Sequence, residues 1–240
     1  MSRYLVFQLY APLASWGEAA VGEMRHSAII PSRSALLGLL AAALGIKRDE
    51  EQRLSRLNQH YLFAVRPLSY YEQGIRDYHT IEVPKENKKR IYYTRKDELT
   101  LAPDDIGTQL SFREYRCDAY YHIAIKATPD APYNLEALAE AIRFPVFPLY
   151  AGRKSCPLAL PLAPKIVAGS LGVAFSQMPI DPLFSHQLAE ISAKKICYWE
   201  GDAEGVKCVE TQVRSDQPLS RQRWQFTSRT QRVGFMEDVE

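Results

Sequence analysis

Residues 115–127 read YRCDAYYHIAIKA, and this stretch decides the fold because it contains the clearest β-strand pattern of the chain. Every second side chain from Tyr115 to Ile125 is tyrosine, cysteine, alanine or isoleucine, whereas the alternate positions include arginine, aspartate and lysine. Alternation with a period of two is typical of a strand, because successive side chains point to opposite faces. We therefore expect a strand with one face in the core and the other exposed to water or to a partner.

Two further strands and a helix are predicted before this central strand. RYLVFQLY (3–10) and YLFAV (61–65) are short runs of strand-forming residues. Between them, PSRSALLGLLAAALGIKRD (31–49) has an apolar stripe of helical period. Ser32 is placed to cap the start of that helix and Gly45 to end it.

The elements that follow complete a ferredoxin-like plan. NLEALAEAIR (134–143) is an amphipathic helix that begins at Asn134, and a returning strand is expected after Pro164. The order β, α, β, β, α, β is that of a split βαβ unit. We predict an α+β protein whose residues 1–160 form this ferredoxin-like (RRM-like) domain.

Two regions extend the plan. A polar, basic insertion of about residues 81–112 separates two core strands, and long insertions are usually functional or disordered. Its β-rich centre, IYYT, predicts a β-hairpin arm. Residues 161–240 contain short strand patterns divided by turns, which predicts a small β-rich C-terminal domain. These patterns are KKICYW, VKCVETQV and RWQFTS.

Composition narrows the class of protein. The 240 residues are 46% hydrophobic, which is enough for a core without disulfides or metals. The four cysteines lack zinc-site spacing, and no apolar run is long enough to cross a bilayer. A soluble, cytoplasmic protein without metal or cofactor is therefore expected. Although the net charge is only +2, lysine and arginine are concentrated between residues 85 and 96. This local positive charge would attract a polyanion.

Two segments could bind phosphate. Arg33 with Ser32 and Ser34 stands at a helix start, where free backbone N–H groups favour an anion, although an exposed arginine paired with a nearby carboxylate is the commoner explanation of such a pattern. Residues 152–155 (GRKS) supply a glycine for close backbone approach, two cations and a hydroxyl, or form an ordinary basic turn. The spacing is not that of a nucleotide-binding P-loop, because Arg153 divides the glycine from Lys154.

Other side chains could contact single-stranded RNA through stacking and charge. RDYHT (76–80) offers a cation and an aromatic ring, and Arg25 and His26 punctuate a loop. The arm carries a KENKKR run. The resulting candidates are Arg25, His26, Ser32, Arg33, Ser34, Arg76, Tyr78, His79, Lys88, Lys89, Arg90, Gly152, Arg153, Lys154 and Ser155.

Catalysis is the alternative to binding. Metal-independent RNA cleavage needs a base, an acid and a cation, which His26, His79, His122 and Tyr78 could supply with nearby lysines. No spacing singles out one set, so no catalytic residue is assigned.

The strings YLVFQLYAPLASWG, PSRSALLGLLAAALGIKRD, GIRDYHT, REYRCDA and YAGRKSCPL occur in this order and carry a family resemblance. Together they resemble the CasD family of type I-E CRISPR Cascade subunits, which belongs to the Cas-five group of the RAMP superfamily. The resemblance runs from the first strand through Pro157 and returns at FTSRTQRVGFMEDV. It implies a ferredoxin-like domain with a hairpin thumb and a small C-terminal β domain.

The resemblance also implies a function and partners. Such subunits hold the 5′ handle and first guide nucleotides of the CRISPR RNA and cap the backbone filament of an antiviral complex. Partners would be the CRISPR RNA, the backbone subunit, the large subunit and target DNA held by the complex, with no membrane. In the related type I-C systems the equivalent subunit cuts the repeat RNA, which is the enzymatic alternative here. The residues 33, 76–79 and 153–155 become candidate handle contacts.

Overall fold

The computed structural model describes residues 2–68, 74–87, 90–184 and 195–237. It consists of α-helices and a largely antiparallel sheet, so the predicted α+β class is confirmed. The strands are β1 (Arg3–Ala14), β2 (Met24–Arg25), β3 (Tyr61–Pro67), β4 (Gly74–Pro84), β5 (Ile106–Ala127), β6 (Lys165–Ala168), β7 (Ile196–Trp199), β8 (Val206–Ser220) and β9 (Gln225–Met236). The helices are α1 (Arg33–Ala43), α2 (Glu51–His60), α3 (Arg95–Leu99), α4 (Leu135–Arg143) and α5 (Leu171–Ser176).

The centre of the sheet is β5, which lies between β1 and β3. The strand order is β6-β1-β5-β3-β7-β9-β8, and β2 and β4 pair with the outer part of β5. Ile123 is opposite Phe7 on one side and Val65 on the other, and all three are buried. The YRCDAYYHIAIKA stretch therefore forms the middle of the core.

One face of the sheet is covered by α1 and α4, as their apolar stripes predict. Leu40 and Leu138 belong to the same buried cluster as Phe7 and Ile123. Ser32 and Asn134 accept hydrogen bonds from the third backbone N–H groups of their helices. Both predicted caps are confirmed. Gly45 follows the end of α1 with φ +69°, a conformation that favours glycine.

The opposite face of β5 is buried from Tyr120 to Ala124, where the prediction that it is exposed was wrong, whereas Asp118 on the same face is exposed. His122 has no exposed surface, and Ala124 belongs to a second buried cluster with Phe175 of α5 and Trp199 of β7. The covering helix α5 begins 44 residues after β5, and β7, which belongs to the same sheet, begins 69 residues after it. The alternation of residues along β5 therefore could not predict that these later elements bury its second face.

The C-terminal strands continue the same sheet. β6 pairs with β1, and β7 pairs with β3 through Ala64↔Trp199 and Val65↔Tyr198. The three strand patterns predicted for this region correspond to β7, β8 and β9. Strands from both sides of residue 160 share one sheet. The division of the chain into two domains at that residue stays a prediction.

An arm projects from the sheet where β4 and β5 pair with each other. Their antiparallel register runs from Gly74↔Arg116 to Pro84↔Ile106, and α3 lies between the strands in sequence. The pairing thus begins before residue 81, where the insertion was expected to start. Within the described ranges, no helix is long and apolar enough to cross a bilayer.

Candidate nucleic-acid interface

Two of the predicted contact residues meet on one carboxylate. Arg76 of β4 donates to Glu114 of β5 at 2.9 Å, and the His26 Nδ1 lies 3.1 Å from the other oxygen of Glu114. These hydrogen bonds lower the pKa of Glu114. The guanidinium of Arg76 remains more than half exposed, as does the imidazole of His26.

The GRKS turn is closed by backbone hydrogen bonds. Tyr150 bridges to Pro157, and the Ala151 N–H donates to the Cys156 carbonyl at 2.8 Å. Gly152 has φ +87°, and a Cβ atom there would lie 1.8 Å from the Ser15 carbonyl oxygen. The close backbone approach expected of this glycine is therefore made to the protein's own chain.

Arg153 leaves this turn and lies over an aromatic ring of β5. Its guanidinium carbon is 4.9 Å from the centroid of Tyr115. The Nη1 atom is buried and has no hydrogen-bond partner within the described part of the chain. Lys154 and Ser155 are exposed beside it.

These contacts bring three separated segments together on β5. Tyr115, under Arg153, directly follows Glu114, which binds His26 and Arg76. The turn is held there because Gly152 packs on Ser15, and Ser15 Oγ donates to the Glu114 carbonyl at 3.3 Å. Cations from loops around residues 26, 76 and 153 thus reach adjacent residues of β5, although Glu114 and Tyr115, as successive strand residues, point to opposite faces of the sheet.

The remaining candidates lie on β4, on the segment that follows it, and on β2. Tyr78 is 56% exposed and packs on Phe112 with ring centroids 5.3 Å apart. His79 Nε2 lies 2.6 Å from an Asp77 oxygen. Arg90 pairs with Asp105 at 2.7 Å, and Arg25 donates to the carbonyl of Gly22 at 2.6 Å. Lys88 and Lys89 lie outside the described residues.

Arg33 requires a correction, because the structure buries it in the protein. Only 5% of its side chain is exposed. Its guanidinium pairs with Glu200 and donates to Asn58 Oδ1 at 3.1 Å and to the Tyr61 carbonyl at 3.0 Å. It is not available to an external phosphate.

The start of α1 does hold an anion, but the anion is Asp216 of β8. The Arg33 backbone N–H donates to an Asp216 oxygen at 2.8 Å. Ser32 caps the helix and is itself buried, and its Oγ lies 3.0 Å from that of Ser34. The predicted phosphate site at this helix start is therefore filled by groups of the chain itself.

The catalytic alternative loses one of its candidate histidines. His122 is fully buried, and burial together with the positive charge of Arg66 lowers its pKa to about 3. It is neutral and has no access to RNA. Within the described ranges, no three His, Cys, Asp or Glu side chains are placed to hold a metal ion.

Sequence reasoning missed a cavity beside Lys154. It has a volume of about 670 Å³ and lies between α1, α2 and residues 147–150, and we call it the α1–α2 pocket. Arg48 and Arg221 line it together with Lys154. The available signals were the basic pair Lys47 and Arg48 after the α1 pattern and the arginines Arg221 and Arg223 near the C-terminus, but their meeting depends on the tertiary fold.

Comparisons with known proteins agree on one family. A model of the family described as CRISPR-associated protein (Cas_Cas5) matches residues 4–232. The CRISPR system Cascade subunit CasD of Escherichia coli (strain K12) is 36% identical over 169 residues, which make up 68% of this chain and 70% of that protein.

Two solved structures share the fold. A chain of a CRISPR RNA-guided surveillance complex superimposes with a TM-score of 0.66 and 22% identity, covering 98% of this chain and 90% of that one. A crystal structure of a Cas protein gives a TM-score of 0.54 and 23% identity, covering 98% and 95% of the two chains. At these identities the likeness concerns the fold alone.

Proposed function

The chain belongs to the Cas5 family of CRISPR-associated proteins, and from this premise we propose that it is a non-catalytic CRISPR RNA-binding subunit of a type I-E Cascade complex. It holds the 5′ handle of the guide RNA and caps the backbone filament. The name of the Escherichia coli relative, a Cascade subunit, supports the assignment to such a complex.

The observation that carries the proposal is that His26 and Arg76 bind Glu114 while Arg153 lies over the next residue, Tyr115, so that cations from three separated segments are gathered at one stretch of β5. Phosphate contacts supply most of the affinity of proteins for nucleic acid, and cations from several loops can follow a bent backbone. Lys154 and Ser155 add an exposed ammonium and hydroxyl next to Arg153. This part of the molecule therefore offers several cations to the phosphates of a short RNA segment.

The fold supports a more detailed arrangement. The order β6-β1-β5-β3, with α1 and α4 on one face, is compatible with a ferredoxin-like RAMP domain whose last strand, β6, lies just beyond the predicted boundary at residue 160. The arm of β4 and β5 serves as the thumb, and exposed Tyr78 stacks on a base at its root. Strands β7 to β9 belong to the small C-terminal domain.

The remaining partners follow from the same proposal. The arm meets the neighbouring backbone subunit, and the body of the molecule contacts the large subunit of the complex. Target DNA is held by the assembled complex and reaches this chain only through it.

Filter binding with a 5′-handle RNA tests the proposal. The double variant Arg76→Ala with Arg153→Ala should bind at least about tenfold more weakly than the natural chain at equal salt. RNA that copurifies with the complex should begin with the handle when it is sequenced from its 5′ end. Unchanged binding by the double variant, or copurified RNA without a handle, contradicts the proposal.

The endoribonuclease alternative draws on one observation, the presence of two histidine–carboxylate pairs, one on each face of the β4–β5 ladder. His26 lies beside Glu114 and His79 beside Asp77, an arrangement that can orient an imidazole for proton transfer. Incubation of repeat RNA with excess protein in EDTA distinguishes the two functions. We expect the RNA to remain intact, whereas cleavage that is lost in His79→Gln would favour the enzyme.

A further inference from the structure

The floor of the α1–α2 pocket is apolar and open. Leu37, Ala41 and Leu57 line it and are buried within the chain, and Leu149 and Pro157 form part of its wall. A cavity of about 670 Å³ is within the range of pockets that bind ligands. It has room for more than one large apolar side chain.

Gly38 opens this floor. It lies in the middle of α1 and is exposed, although Leu37 and Leu39 on either side are buried. A Cβ atom on Gly38 would meet no other atom within 4 Å. Glycine in a helix interior is less stable than alanine, so the sequence gives up helix stability at a position where a side chain would extend into the pocket.

The edge of the pocket is cationic. Arg48, Lys154 and Arg221 line it, and Glu51 is the acidic residue of the lining. In the described part of the chain, none of these three cations has a carboxylate within ion-pair distance. Arg48 and Arg221 both lie over the Trp224 ring, at 4.8 and 5.0 Å from its centroid. The pocket therefore attracts a ligand that carries negative charge around an apolar centre.

An apolar ledge continues the pocket along α1. Phe144 is 73% exposed and Val146 is 64% exposed. The backbone N–H groups of Val146 and Phe147 donate to the carbonyls of Ala43 and Ala42, both at 3.1 Å. The ledge is thus fixed in place, and Phe147 lines the pocket as well.

We propose that the α1–α2 pocket and this ledge bind an acidic amphipathic segment of a partner protein. The apolar side of the segment fills the space over Gly38 and covers the ledge, and its carboxylates face Arg48 and Arg221. This pairing of an apolar face with a groove is a common mode of peptide recognition. The inference does not depend on the RNA contacts of the proposed function.

A protein segment fits this pocket better than an RNA base does. A base must hydrogen-bond along its edge, but three of the uncharged polar side chains of the lining already have partners within the protein. Ser34 bonds to Ser32, Ser55 accepts from Gln59, and Asn58 donates to Pro218 and accepts from Arg33. The Trp224 ring is in turn covered by two guanidiniums, which compete with base stacking.

Photocrosslinking within the assembled ribonucleoprotein identifies the occupant. A benzoylphenylalanine in place of Phe147 should form an adduct with a protein segment that contains several Glu or Asp residues and alternating large apolar residues, as mapped by mass spectrometry. An adduct with RNA, an adduct with a lysine-rich segment, or no adduct overturns the proposal.

A matched pair of variants tests whether the pocket itself is used. Gly38→Leu fills the cavity and should reduce the Phe147 adduct at least about tenfold, since it occupies the space of the guest, whereas Gly38→Ala leaves most of the volume open and should retain the adduct. Both variants should bind handle RNA as the natural chain does. If Gly38→Leu retains the protein adduct, or loses binding to handle RNA while keeping the adduct, the pocket does not have this role. Failure of the natural chain to bind handle RNA would contradict the proposed function but not the role of the pocket.

Discussion

The backbone N–H of Arg33 donates a hydrogen bond to the Asp216 carboxylate at 2.8 Å, so a side chain of β8 supplies the anion at the first turn of α1. Arg229 of β9 binds the same carboxylate at 2.6 and 2.9 Å and lies 3.1 Å from Glu200. Burial raises the pKa of Asp216, but the hydrogen bonds from Arg229 and from the Arg33 N–H outweigh burial and keep that pKa below its usual value. The C-terminal strands are thereby fastened to the first helix.

Arg33→Ala should destabilise the fold instead of acting on RNA directly. The substitution leaves buried Glu200 with Arg229 as its charged partner and removes the bonds to Asn58 and Tyr61. Removal of one member of a buried ion pair typically costs about 3–5 kcal/mol. Urea unfolding measures the loss.

Arg56→Ala is the matched control, because Arg56 is an exposed arginine on α2. Its free energy of unfolding should change by less than about 0.5 kcal/mol. An Arg33→Ala protein of natural stability that fails to bind handle RNA would show that Arg33 has the phosphate role expected from the sequence.

The contrast between Ser32 and Arg33 explains what local reasoning can predict. The Ser32 cap depends on an N–H group three residues away, so the local pattern was sufficient. The partner of the Arg33 N–H is 183 residues away in the chain. A rule for helix starts predicts an anion at that position, but it cannot say whether the anion belongs to a ligand or to the protein.

The central strand gives the same lesson for the fold. Period-two alternation placed Ile123 and Ile125 on a core face, and both are buried. His122 on the other face is buried by elements that come much later in the chain. For the site, the GRKS turn and Arg76 were identified by composition, whereas Arg48 and Arg221 become neighbours only after α1 and the turn between β8 and β9 have packed.

Gly152→Ala should distort the GRKS turn. The added Cβ would lie 1.8 Å from the Ser15 carbonyl, and φ +87° is strained for alanine. We expect a loss of about 2 kcal/mol or more in the free energy of unfolding, together with weaker RNA binding because Arg153 no longer lies on Tyr115. Gly17→Ala is the control, since its Cβ meets nothing within 4 Å, and it should leave both measurements unchanged.

Acid should destabilise the protein through His122. Its pKa is about 3 in the folded chain and about 6.5 when unfolded, so the unfolded state binds the proton first as pH falls. The stability from keeping this ring neutral is complete above pH 6.5 and is lost progressively towards pH 3. Between pH 6.5 and 5 the loss is about 2 kcal/mol.

His122→Phe isolates this contribution, because the other histidines remain. Its free energy of unfolding should fall by about 2 kcal/mol less than that of the natural chain over the same pH interval. Equal slopes in the two proteins would mean that His122 is protonated in the folded state.

Arg153→Ala should weaken handle RNA binding and change its salt dependence. Each phosphate contact to a single strand adds about 0.7 to the slope of log K against log salt, so loss of one contact should make the slope shallower by about that amount. Arg153→Lys keeps the charge and should keep the slope, although the contact with Tyr115 is altered. Arg143→Ala removes a cation that pairs with Glu140 on α4, away from the surface around Glu114, and should change neither affinity nor slope. A slope that falls equally in the Arg143 and Arg153 variants would mean that general positive charge, and not the GRKS turn, attracts the RNA.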